Sequence, residues 1–147
     1  MRLIVLFLCA LAAYGQTQIN DKAAAEKLLG AHNLTLQWLI FEKGQKPGTV
    51  TITNDNGTYK VKGEQRGKGT DFLTIEGQVV TVNALNFVLR GRIVTRVSYI
   101  AGGKECLRDG TFTFRISGAR QFWRMKEQDN PCDEAADYVD IFFARPK

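Results

Sequence analysis

The chain has 147 residues, 44% hydrophobic and 24% charged, with a formal net charge of +5. That is enough length for one domain with its own core, and too mild a positive bias to mark a nucleic-acid binder. One histidine excludes any site needing two imidazoles, and three cysteines without Cys-x-x-Cys spacing leave zinc and dithiol chemistry without their usual ligands.

Arg2 leads an apolar run over residues 3–13, which closes on Ala13, Tyr14 and Gly15. An early positive charge, an apolar core about half of the roughly 20 residues a spanning helix needs, and small residues at 13 and 15 describe a secretory signal peptide over residues 1–15. Cleavage before Gln16 leaves one domain over residues 16–147, secreted or periplasmic, with no membrane span. Cys9 lies inside the apolar run after Leu8, which argues against lipidation. Cleavage removes it, so Cys106 and Cys132 remain in an oxidising compartment with one possible connectivity, a structural disulfide.

In chain order, Asp21 or Asn20 can cap a short helix built on Ala23, Ala24, Ala25, Leu28 and Leu29, with Gly30 as its stop. The period then changes to alternation. Residues 34–40 read as a strand with Leu34, Leu36, Trp38 and Ile40 on one side. Residues 49–53 form the next strand, and Asp55-Asn56-Gly57 marks a hairpin into a strand carrying Tyr59 and Val61. Residues 72–75 and 79–82 read as two short strands about a Glu76-Gly77 turn. The longest alternation, residues 85–100, keeps its phase through Gly91 and reads as one strand bent at the glycine. It sets Leu85, Phe87, Leu89, Ile93, Val97 and Tyr99 on the inward side, and Arg90, Arg92 and Arg96 outward. After a loop at 101–109 holding Cys106 come strands with Phe112 and Phe114, then with Trp123 and Met125. A polar loop at 128–137 holding Cys132 and a last strand at 138–143 complete the chain.

Nine or so short strands with tight turns and no interleaved helices predict an all-β antiparallel meander closing into a barrel, since closure removes exposed edges. The short helix leading into Gly30-Ala31-His32-Asn33-Leu34, followed by hairpins, resembles the opening of the calycin-type barrels, the lipocalins and their bacterial relatives. His32 stands where that family places a tryptophan, and the long C-terminal helix of lipocalins has no counterpart. The tail from Phe122-Trp123-Arg124-Met125 through Asp129-Asn130-Pro131-Cys132 to Phe143 resembles small uncharacterised secreted bacterial proteins, which implies no particular activity.

His32, beside an apolar strand, reads as a hydrogen-bonded structural residue. Glu127, Asp129, Asp133, Glu134, Asp137 and Asp140 invite calcium, but their spacing fits no calcium loop; a solvated loop neutralised by arginines is the better reading, and no metal or cofactor is expected. No motif marks a nucleophile with its base, so a binding protein is expected and not an enzyme. An eight-strand barrel can hold one ligand, and Trp38, Phe87, Tyr99, Phe112 and Trp123 are the residues expected to line such a site for a small apolar or amphipathic molecule. The alternative is a solid barrel that contacts another protein or inhibits an enzyme through loops 101–109 and 128–137.

Overall fold

In a computed structural model, residues 15–144 are described. The expected signal peptide lies outside the described residues, apart from Gly15. The elements are β1 (Gln18–Ile19), α1 (Lys22–Leu28), β2 (Gly30–Leu36), α2 (Gln37–Ile40), β3 (Gly48–Asp55), β4 (Thr58–Arg66), β5 (Phe72–Val82), β6 (Asn86–Arg96), β7 (Cys106–Arg115), β8 (Phe122–Met125) and β9 (Val139–Phe142). From β2 to β9 each strand pairs antiparallel with the next, and β9 returns to β2, closing an eight-stranded barrel. β1 lies outside the closed ring and pairs parallel with the end of β5. Among the described residues no helix is long and apolar enough to cross a membrane.

Local chemistry explains the ends. Asp21 caps α1 by accepting from Ala24 N at 2.8 Å, and Gly30, at φ +108°, turns the chain into β2. Asn56 and Gly57 both take positive φ in the two-residue β3–β4 hairpin, the demand that an Asn-Gly pair meets at least strain. Thr17 ties the N-terminal segment to the barrel: its hydroxyl donates to Val79 O at 2.6 Å and accepts from Tyr59 N at 2.8 Å.

The lumen is filled. Phe87 on β6 and Phe114 on β7 are register partners with rings stacked at 5.1 Å, and Trp123 meets Phe87 edge-on at 5.8 Å. Leu34, Leu36, Val50, Ile52, Leu73, Ile75, Leu89, Ile93, Met125 and Ile141 pack around them in the core, each no more than 1% exposed. Leu28 of α1 and Leu39 of α2 join that core.

Four sequence expectations are corrected. The residues read as two short strands about Glu76-Gly77 are one strand, β5, because Gly77 pairs with Gly91 in a ladder that runs from Phe72 to Val79 without a break and shifts register only beyond it, between Val79 and Thr81. There a Cβ on either glycine would press on the facing Cα at 2.7 Å, so the pair lets two backbones approach at a corner, and no turn occurs. The strand expected over 34–40 stops at Leu36, because the Gln37 side chain takes over the ladder: its Nε2 donates to Ala136 O at 2.7 Å and its Oε1 accepts from Tyr138 N at 2.8 Å. Leu85 and Tyr99, assigned inward, are 62% and 54% exposed, since β6 spans only Asn86–Arg96 and alternation says nothing about side outside a strand. Cys106, placed in a loop, opens β7.

Candidate functional site

The five residues expected to line a ligand site fall into two groups. Phe87 and Trp123 are packed in the core, with Phe112 also buried. Trp38 and Tyr99 meet edge-on at 6.2 Å at the α2 end of the barrel, where the Tyr99 hydroxyl donates to Trp38 O at 2.9 Å. The structure does not bring the five to one surface.

Loop 128–137 is clamped at that end. Cys106 and Cys132 are bonded. Buried Asp137 accepts from Trp38 Nε1 at 2.9 Å, Arg108 Nη2 at 2.7 Å and Asn130 Nδ2 at 3.0 Å, while Arg108 Nη1 also donates to Glu127 O at 2.7 Å. Other carboxylates of the acidic run are also engaged: Glu127 accepts from Thr113 N, Asp133 from Ala101 N, and Asp140 pairs with Arg124. His32 is buried, with Nδ1 at 2.9 Å from Phe142 O and Nε2 at 2.7 Å from Leu28 O, joining α1 to β9.

Arg90 and Arg92 are exposed and Arg96 half-buried, with Arg96 Nε donating to Gly103 O. The arginines that converge lie on the neighbouring wall. Register places Arg115 of β7 directly opposite Arg124 of β8, and Arg124 opposite Asp140 of β9. Side chains directly opposite on one face sit about 5 Å apart at Cβ, and like charges there repel. Arg124 is fixed by a bidentate pair with Asp140 at 2.8 and 2.9 Å and lies 4.4 Å from the Tyr138 ring centroid. Its pKa is pushed up by the Asp140 hydrogen bond, against burial, so it is always charged. Among the described residues no carboxylate pairs with Arg115, Arg120 or Lys126. These three, with Arg124, Ser117 and Tyr138, line a concavity of about 180 Å³ whose floor includes Met125. Four cations against one committed carboxylate, with hydroxyl donors beside them, make a cradle for an oxyanion.

Nothing in the sequence pattern brings Arg115 and Arg124 together. The β7–β8 register does so, and it depends on where the turn between these strands closes. Arg120 and Lys126 carried no signal at all.

Two comparisons place the chain. A protein of Pasteurella multocida (strain Pm70), described as "Uncharacterized protein PM1083", is 36% identical over 140 residues, covering 92% of this chain and 89% of its own length. Residues 16–143 match the PM1083 family, which takes in every strand of the barrel and all of the cationic cradle. The chain therefore belongs to the PM1083 family.

Proposed function

We propose that this protein is an exported, non-enzymatic binding module that holds an anionic ligand on the outer wall of its barrel. The single observation carrying the reading is that Arg115 and Arg124 are register partners lining one concavity with two further cations, while the carboxylate beside them is already engaged. Like charges at directly opposite positions cost stability unless an anion relieves them. Export is supported by the pattern of residues 1–15 and by the Cys106–Cys132 bond. The packed lumen favours a surface site over an internal one.

Titration of inorganic phosphate, sulfate and acetate into isotope-labelled protein tests this. Saturable shifts at Arg115, Arg124 and Tyr138, weakened by salt and abolished by Arg115→Glu, are expected. No saturable shift at low ionic strength would overturn it.

A second reading, contact with another protein through loops 101–109 and 128–137, is favoured by Tyr99, which stands 54% exposed against Trp38 at the clamped end of the barrel.

A further inference from the structure

Resting on the anion-binding reading, we propose that the ligand is a single-chain amphiphile: its anionic head sits in the cradle of Arg115, Arg120, Arg124 and Lys126, and its apolar chain crosses the outer faces of β9 and β2. The head site alone is polar and closed on one side by a wall that is not. Phe122 is that wall. Its ring centroid is 5.5 Å from the Arg120 guanidinium carbon and 5.2 Å from that of Arg124, and on its other side the Phe142 ring lies at 5.1 Å. Phe122 and Phe142 are register partners, two rungs from the Arg124–Asp140 rung and so on the same face of the sheet.

Beyond Phe142 the outer wall forms a second concavity, of about 420 Å³, lined by Ile40, Pro47, Phe142 and Phe143, with Asn33 and Thr35 at its base. Register continues the same row, Arg124 to Asp140 to Thr35, so the apolar hollow begins about two strand spacings, or roughly 10 Å, from the Arg124 backbone, and the guanidinium already reaches across the first of them to Asp140. An outward-facing row of half-buried aromatics on a closed barrel has no second sheet to cover it. Charge complementarity at one end and a linear apolar hollow at the other select an occupant with one anionic head and one chain, not a small inorganic ion.

Calorimetric titration of the full chain with ethyl, hexyl and decyl phosphate, each below its micelle concentration, tests the proposal. Affinity is expected to rise roughly two- to fourfold per methylene until the hollow is filled. Phe142→Ser and the exposed Pro47→Ser, both checked for folding by circular dichroism, should flatten that chain-length dependence. Arg115→Ala should weaken all three homologues by a similar factor. Equal affinity for ethyl and decyl phosphate would overturn the chain site while leaving the anion reading standing. A chain-length gain that survives both groove variants would overturn the chain site as well. No binding of any homologue would overturn both, and binding to anionic lipid vesicles without binding to dispersed decyl phosphate would replace the single-chain occupant with a membrane surface.

Discussion

Arg108 and Asp137 form an ion pair at 2.7 Å with side chains only 6% and 2% exposed. Arg108 stands on β7 and Asp137 closes loop 128–137, so the pair fastens the loop to the barrel end. Removing one partner strands a buried charge, and Arg108→Ala should lower stability by about 3 to 5 kcal/mol. Asp137→Asn keeps the shape but loses the charge, and should also destabilise. Urea unfolding of the variants checks both; a loss below about 1 kcal/mol in Arg108→Ala would show that the pair does not hold the loop.

The Cys106–Cys132 bond closes a segment with sequence separation 26. Replacing both cysteines by serine should cost about 2 to 5 kcal/mol, chiefly through a freer unfolded chain. Non-reducing peptide mapping should show the linked fragment, and thermal unfolding of the double variant should show the loss.

Gly91 and Gly110 are register partners on adjacent strands, yet they should respond oppositely to the same methyl group. A Cβ on Gly91 falls against the Glu76 carbonyl and the Gly77 Cα, both backbone, whereas one on Gly110 meets nothing within 4 Å. Gly91→Ala should destabilise by about 1 to 3 kcal/mol or more, and Gly110→Ala should be neutral or gain up to about 1 kcal/mol. Chemical denaturation of the two variants side by side decides it.

Phe87 and Arg92 lie on opposite faces of β6. Phe87→Ala should cost about 3 to 5 kcal/mol, because it empties the centre of a packed lumen. Arg92, paired with Asp109 at 3.3 Å and largely solvated, should change stability by no more than about 0.5 kcal/mol on replacement by alanine.

The Tyr99 phenol is held above its ordinary value of about 10 by partial burial, with Glu42 and Asp71 adding to the effect. The folded state therefore keeps this proton where the unfolded chain releases it. That contribution is complete below the unfolded pKa and disappears as pH rises through the folded one. Near-ultraviolet absorbance titration of the native protein against Tyr99→Phe should isolate a phenol that ionises late; a difference curve centred below the ordinary value would contradict this.

Much of the barrel was legible because strands such as β3, β4 and β6 carry their inward side in simple alternation, and because Asn56-Gly57 admits few backbones other than a tight hairpin. Gly77 was misread since glycine marks turns and barrel corners alike, and only its partner across the sheet, Gly91, distinguishes them. Gln37 ended a strand through contacts about a hundred residues away, which no local pattern contains. The disulfide was readable from cysteine number once Cys9 was set aside with the expected leader. The cradle was not: Arg115 and Arg124 are ordinary surface residues along the chain, and only strand register turns them into one site.

The seam between β2 and β9 sets the order in which this molecule can assemble. Leu34 waits for Ile141, at the far end of the chain, whereas every other seam of the ring joins consecutive strands. Neighbouring hairpins can form early and locally, but the ring stays an open sheet with two bare edges until residues 139–142 arrive. A chain cut short before β9 would lack only Val139 and Ile141 of the core and would still expose β2 and β8 for pairing with other copies. The last four-residue strand therefore separates a closed barrel from an open ribbon with two edges free to pair.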